Sequence, residues 1–330
     1  MPRYSRFMPL LWIVLGLAAL VLGAELVVRY GARVARQLGL PPILIGLTVV
    51  SIGTSLPELA VGIDAANNNV GSLAVGNIAG TNMVNLLLIL GLSAAIRALP
   101  LTLQTIRLDL PMMGGAAYLL LIFGIDGALE VWEGIPLVVF ALVYMVLLVR
   151  WTRRESALVL AEFAAEYPTP PRREHKFGTI AIQSLLLVVG LVVIVVGADW
   201  LVDGAVELAQ ALGVSDALIG LTIVAIGTSA PELTTTIIST IRGDRDIAIG
   251  NLIGSSIFNL TIILGVTLLF SPGAILIGPQ LVYVDLPLMA AVSFLCAPLM
   301  TSGRMLSRRE GFGFVVTYIA YLTYLIVART

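Results

Sequence analysis

Apolar residues dominate the chain in long runs, and short polar clusters break those runs at regular intervals. A run of about 20 apolar residues crosses a bilayer as a helix. Ten such runs can be placed, at 8–30, 43–67, 71–97, 108–126, 131–150, 178–204, 217–241, 245–270, 283–302 and 310–328. The pattern predicts an all-α polytopic membrane protein with about ten transmembrane helices. The first run follows Arg3 and Arg6, as in a secretory signal, but it continues through Glu25 to Arg29 with no small-residue cleavage site. It is therefore expected to be a retained helix.

The polar clusters occur twice. Gly53-Thr54-Ser55-Leu56-Pro57-Glu58 is followed by Gly76-Asn77-Ile78-Ala79-Gly80-Thr81-Asn82-Met83-Val84-Asn85. Gly227-Thr228-Ser229-Ala230-Pro231-Glu232 is followed by Gly250-Asn251-Leu252-Ile253-Gly254-Ser255-Ser256-Ile257-Phe258-Asn259, at a constant offset of 174 residues. The match runs without a gap from Gly23 to Gly91 and from Gly197 to Gly265. Each copy holds five spans. Five is odd, so the second copy enters the membrane from the opposite side, which is the inverted-topology design of many secondary transporters. The predicted organisation is a first membrane repeat at 1–150, a linker at 151–177 and a second membrane repeat at 178–330.

Composition agrees with this reading. Of 330 residues, 58% are hydrophobic and 12% charged, against about 25% charged in a soluble domain. The net charge of −1 and the lack of a basic arm argue against nucleic acid as a partner. The single Cys296 excludes an internal disulfide framework, and the single His175, in a hydrophilic stretch, leaves no histidine for zinc or for acid–base catalysis. Charge also orients the chain. With both termini outside, 16 of the 19 Lys and Arg residues fall in inner loops, as the positive-inside rule requires. The expected location is the plasma (inner) membrane, with residues 151–177 as a cytoplasmic linker.

Glu58 and Glu232 are the chemical centre of the clusters. An ionisable residue in an apolar span is costly and marks a functional site. If the repeats face each other, the two carboxylates converge, and a bound divalent cation satisfies both. Thr54, Ser55, Thr228 and Ser229 precede them. Thr81 with Asn85, and Ser255 with Asn259, lie four apart on the next helix of each copy. Without thiolate or imidazole, this all-oxygen set suits a hard cation, and Ca²⁺ takes 6–8 oxygens. Each part alone has a plainer reading. Gly-x-x-x-Gly packs helices, and membrane Ser and Thr often bond back to their own helix. Asp109 and Asp285 open spans as Asp-Leu-Pro and read as helix starts, and Glu25 and Asp199 read as solvated span ends.

At these residues the chain resembles the calcium/cation antiporter superfamily, and most closely the prokaryotic sodium/calcium exchangers. The resemblance rests on Gly-Thr-Ser-x-Pro-Glu followed by Gly-Asn-x-x-Gly-[ST]-[NS], present twice, and it covers nearly the whole chain. It implies Ca²⁺ held by Glu58, Glu232, Thr54 and Thr228. It also implies flanking Na⁺ sites drawing on Ser55, Ser229, Thr81, Ser255, Asn85 and the backbone carbonyls of Ser51 and Ala225. The implied mechanism is alternating access, with the first and sixth spans sliding against the rest. One chain contains a complete set of site residues and is expected to function as a monomer, with no prosthetic group. One residue departs from the pattern. Many of these exchangers have Asp where this chain has Asn259, which admits H⁺ as an alternative counter-ion. A cation channel would need a continuous pore. An intramembrane enzyme would need a constellation that is absent, so the chain is not expected to be an enzyme.

Overall fold

The computed structural model describes residues 4–38, 40, 42–68, 71–166, 177–211 and 225–329. The chain is helical almost throughout. The helices are α1 Tyr4–Leu38, α2 Pro42–Ile45, α3 Ser51–Thr54, α4 Leu56–Asn67, α5 Gly71–Met83, α6 Leu90–Ile96, α7 Leu110–Phe123, α8 Gly134–Glu166 and α9 Phe177–Ala211. They continue as α10 Ala225–Thr228, α11 Ala230–Arg242, α12 Arg245–Phe258, α13 Leu264–Leu269, α14 Leu286–Thr301 and α15 Arg308–Arg329. Eight stretches of described helix are long and apolar enough to cross a membrane, and Leu281–Cys296 is a shorter apolar helix. The expected span 217–241 begins at residues outside those described, and its described part is α10 and α11. The helix that carries the span 131–150 does not stop there. It runs on to Glu166, because residues 151–166 are mostly strong helix formers and contain no proline.

Several of these helices are α-helices joined through a wider π turn. Four described π segments form repeat-related pairs. Val84–Ile89 matches Asn259–Ile263, and Thr105–Asp109 matches Leu281–Asp285. The second pair has a local cause. Pro111 has no N–H for the carbonyl of Arg107, and Pro287 has none for that of Tyr283, so each helix widens at that carbonyl. The widening turns an acid inward. Asp109 is fully buried and accepts a hydrogen bond from Tyr144 Oη at 3.1 Å. Asp285 is buried too and accepts one from Tyr321 Oη at 3.3 Å. The sequence reading of these two acids as helix starts is thus corrected. Each ties its span to the last helix of its repeat.

The two repeats interlock through equivalent contacts. Four two-residue strands, β1 Leu99–Pro100, β2 Ala128–Leu129, β3 Ile275–Leu276 and β4 Met305–Leu306, form two antiparallel pairs. β1 pairs with β4 (Leu99 opposite Leu306) and β2 with β3 (Leu129 opposite Ile275). β3 is the repeat equivalent of β1, and β4 of β2, so each pairing is the other seen from the opposite repeat. The glycines behave alike. A Cβ on Gly91 would meet the Gly311 carbonyl at 2.9 Å, and one on Gly265 the Gly134 carbonyl at 2.9 Å. Such reciprocity is the mark of a pseudo-two-fold axis relating the halves.

α1 and α9, the first helix of each repeat, pair with each other. Small residues let their backbones meet. A Cβ on Gly16 would lie 2.6 Å from the Leu201 nitrogen, one on Gly197 2.8 Å from the Leu20 nitrogen, and one on Gly204 2.6 Å from the Pro9 carbonyl. The pair has an apolar cluster of its own, to which, among the described residues, Ile45, Val50, Ala230 and Ile238 contribute from elsewhere. Its outward face is apolar and exposed at Val14, Val21, Leu22, Ile182, Leu185 and Val192, as expected for helices facing lipid. Among the described residues, one ionic contact ties it to the rest. Glu25, expected to be solvated at a span end, forms an ion pair with Arg242 at the end of α11.

Gly197→Leu should force α1 and α9 apart. Overpacking typically costs about 1–3 kcal/mol, so the melting temperature of the detergent-solubilised protein should fall by several degrees. Gly273→Ala is the control, because no atom lies within 4 Å of a Cβ built there, and it should leave the melting temperature unchanged.

Candidate cation site

The site forms where two helices break. Ser55 (φ −88°, ψ 6°) separates α3 from α4, and Ser229 (φ −86°, ψ 4°) separates α10 from α11. Pro57 and Pro231 follow two residues later and fit the first turn of the new helix, where a missing N–H costs nothing. They offer no donor to the carbonyls of Gly53 and Gly227. Glu58 and Glu232 then fall in the first turns of α4 and α11, where the positive ends of the helix dipoles favour a carboxylate. The carbonyl ends of α3 and α10 approach from the other side of each break and favour a cation.

Glu58 and Glu232 are completely buried, and Ser55, three residues before Glu58, reaches Glu232 from the other repeat. Among the described residues no cluster of three or more His, Cys, Asp or Glu side chains exists, so this is a two-carboxylate centre. Ser55 Oγ donates to Glu232 Oε1 at 3.5 Å, and the hydroxyls of Thr54 and Ser255 also face Glu232. Thr54 Oγ1 lies 3.3 Å from Ser255 Oγ, which joins the two repeats at the centre. Ser255 Oγ donates to the Ser51 carbonyl at 3.4 Å. That carbonyl also takes the Ser55 N–H at 3.1 Å and Thr54 Oγ1 at 3.3 Å, so it is already engaged. Thr228 is buried in the mirror position to Thr54, and Ala225 opens α10.

The remaining expected residues share another property. Both Oε atoms of Glu58, Oε2 of Glu232, Thr81 Oγ1, Ser229 Oγ and both amide atoms of Asn85 and Asn259 are buried without a hydrogen-bond partner. Buried polar groups are normally paired, and each exception calls for a reason. Elsewhere Ser93, Thr152, Thr235 and Ser256 also lack a partner, but other buried hydroxyls obey the rule. Thr261, Thr267, Ser239, Thr240 and Ser293 each bond back to a carbonyl of their own helix, which is the usual packing role of such residues. Thr81 and Ser229 do not. Asn85 and Asn259 each sit in a π turn, a distortion common at functional sites. Two buried carboxylates, with unpaired buried oxygens on the same and the following helices of each repeat and no basic side chain in either motif, have the chemistry of a hard-cation site.

Sequence reasoning missed Asn251 and Thr236. Asn251 Oδ1 accepts from Thr54 Oγ1 at 3.2 Å, and its Nδ2 donates to Thr236 Oγ1 at 3.2 Å. The signal existed, since Asn77 and Asn251 stand in the duplicated Gly-Asn pair. Those pairs read as part of a packing motif rather than as side chains with work to do.

A helical membrane protein of two inverted repeats, with broken helices meeting at an all-oxygen centre, is by architecture a secondary transporter. The chain matches the family described as sodium/calcium exchanger protein over residues 8–150 and 182–327, and it belongs to that family. It is a multi-pass membrane antiporter of the calcium/cation class and not an enzyme. It is 36% identical over 267 residues to the putative antiporter CaxA of Alkalimonas amylolytica, covering 80% of this chain and 82% of that one. It is 30% identical over 341 residues to the sodium/calcium exchanger MaX1 of Methanosarcina acetivorans, covering 95% and 97%. Among solved structures it superposes on the sodium-calcium exchanger NCX_Mj, soaked with Na⁺, with a TM-score of 0.83 at 28% identity, over 97% of this chain and 99% of that one.

Glu232→Gln should lower the affinity for Ca²⁺ by roughly a hundredfold or more, the scale expected for removing one partner of a buried charge cluster. The measurement is the rise in melting temperature of the detergent-solubilised protein with added Ca²⁺. Thr323→Val, which removes a hydroxyl bonded to its own helix, should leave that titration as in the unmodified protein.

Proposed function

We propose that the protein exchanges Ca²⁺ for Na⁺ across the plasma (inner) membrane by alternating access at this single site. The observation that carries the reading is the set of unpartnered buried oxygens on Glu58, Glu232, Thr81, Ser229, Asn85 and Asn259. Leaving polar atoms unpaired in a membrane interior costs free energy that a transported cation recovers. In this reading Ca²⁺ takes Glu58, Glu232, Thr54 and Thr228. Na⁺ ions take flanking positions that use Ser55, Ser229, Thr81, Ser255, Asn85, Asn259 and the carbonyls of Ser51 and Ala225. All of these share the two carboxylates, so Ca²⁺ and Na⁺ compete, and competition for one site is the basis of exchange.

The α1–α9 pair supplies the moving part. Its own apolar cluster and its smooth, lipid-facing exterior suit a body that shifts as a unit against the remaining helices. Residues 1–150 and 178–330 act as the two membrane repeats, with both termini outside and 151–177 on the cytoplasmic side. One chain carries a complete site and works as a monomer. MaX1 and NCX_Mj, each named a sodium–calcium exchanger, favour Na⁺ as the counter-ion. The second reading is Ca²⁺/H⁺ exchange. Asn259, buried and neutral, leaves the centre with two formal negative charges, enough for one Ca²⁺ and fewer than a site with a third acid.

Ca²⁺ uptake into proteoliposomes decides between them. Vesicles loaded with Na⁺ should take up Ca²⁺, and K⁺-loaded vesicles under an imposed pH gradient should not. Uptake only under the pH gradient would replace Na⁺ by H⁺ as the counter-ion. Asn259→Asp should then strengthen Na⁺ competition with Ca²⁺ by several-fold, because it adds a carboxylate to the same oxygen cluster. Unchanged competition would place Asn259 outside the site.

A further inference from the structure

Thr54 has one hydrogen and two lone pairs, and the direction of that hydrogen decides what the side chain can do. If the hydroxyl donates to Glu232, which it faces, its hydrogen points into the centre and repels a cation. To serve as a cation ligand, the hydroxyl must send its hydrogen away from the centre and turn a lone pair inward. That requires an acceptor on the far side. Besides Ser255 Oγ, which is 3.3 Å away and itself on the carboxylate side, two lie within reach, the Ser51 carbonyl at 3.3 Å and Asn251 Oδ1 at 3.2 Å. The carbonyl has two lone pairs and already takes the Ser55 N–H and Ser255 Oγ. Asn251 Oδ1 is the acceptor with capacity to spare.

Asn251 is also held in the orientation this needs. An amide can present oxygen or nitrogen to its neighbour, and the surrounding hydrogen bonds decide which. Here Nδ2 is anchored to Thr236 Oγ1 at 3.2 Å, which leaves Oδ1 turned to Thr54. Asn251 and Thr236 are both fully buried. Thr236 stands on α11 four residues after Glu232, on the same helix face. The chain from Thr236 through Asn251 to Thr54 therefore crosses from the second repeat into the first beside the carboxylates.

We propose that Asn251 is a positioning residue for cation binding: it accepts the Thr54 hydrogen, with its amide fixed by Thr236, so that the Thr54 lone pair faces the cation. This rests on the reading of Thr54 as a Ca²⁺ ligand. Asn251 itself does not touch the ion.

The test is a mutant cycle on the full-length protein in detergent, read by the Ca²⁺ concentration giving half-maximal thermal stabilisation. Asn251→Ala and Thr54→Val should each raise that concentration about fivefold to tenfold, the worth of one buried hydrogen bond. The double variant should be no worse than either alone, because both remove the same ligand. Asn251→Asp keeps the acceptor and should bind Ca²⁺ at least as well as the unmodified protein. Thr236→Val frees the amide and should weaken binding about threefold, and it provides the same test by a gentler change if Asn251→Ala does not fold. Multiplying effects in the double variant, or unmodified binding in Asn251→Ala, would overturn the proposal. Failure of the unmodified protein to respond to Ca²⁺ at all would instead bring down the functional reading, and this proposal with it.

Discussion

Two carboxylates buried side by side in the interior of a membrane protein are the constraint on which the rest of this structure depends. Among the described residues no basic side chain pairs with Glu58 or Glu232. Moving charge into low dielectric costs several kcal/mol per group even after relaxation, so the fold must offer whatever partial charges it can. It does so by breaking two helices. Each break places a carboxylate at a dipole's positive end and aims the carbonyls of the preceding helix at the centre. The neighbouring helices widen into π turns at Asn85 and Asn259, and they bring amides into the cluster that a straight helix would spend on packing.

The scaffold around the centre is reciprocal because both repeats face the same problem. Each needs its broken helix held firmly while remaining short of backbone hydrogen bonds. The strand pairs β1–β4 and β2–β3, the glycine contacts Gly91–Gly311 and Gly265–Gly134, and the Asp109–Tyr144 and Asp285–Tyr321 bonds all meet that need twice. They surround the site and leave α1 and α9 outside it. The positive φ of Gly127 (85°) recurs at its equivalent Arg304 (52°). The repeat keeps the turn even where the residue no longer suits it.

The parts legible in the sequence are those with a periodic or duplicated signal. The spans followed from apolar run length, the inverted halves from an odd number of spans per copy, and the core polar residues from the cost of placing them in a membrane. The parts that were not legible depend on pairings between distant residues. Asp109 looked like a helix start because Asp-Leu-Pro is a good one. Only the π turn before Pro111 shows why its carboxylate points to Tyr144 instead. Glu25 looked solvated, and its partner Arg242 is 217 residues away. Asn251 was in plain view inside a duplicated motif, but a motif does not say which of its members bond to which. The helix running to Glu166 was missed for the opposite reason, since a polar, proline-flanked segment was weighed by composition rather than by helix propensity.

The two ends of the molecule are not equal, although the repeat that built them is. Ser51 Oγ donates to the Gly46 carbonyl at 2.6 Å and lies 3.0 Å from that of Asn251, and so fastens the start of the second span to α12. A Cβ on Gly254 would stand 2.9 Å from Leu47 Cα, so the two backbones meet closely there. The mirror of Ser51 is Ala225, which has no hydroxyl. The mirrors of Glu25 and Arg242 are Asp199 and Asn68, which cannot form an ion pair. Any motion that exchanges the two ends therefore trades a closure with these bonds for one without them. A difference of about 1 kcal/mol between two states changes their populations about fivefold, so a hydroxyl and an ion pair are enough to make the halves of a symmetric scaffold behave differently.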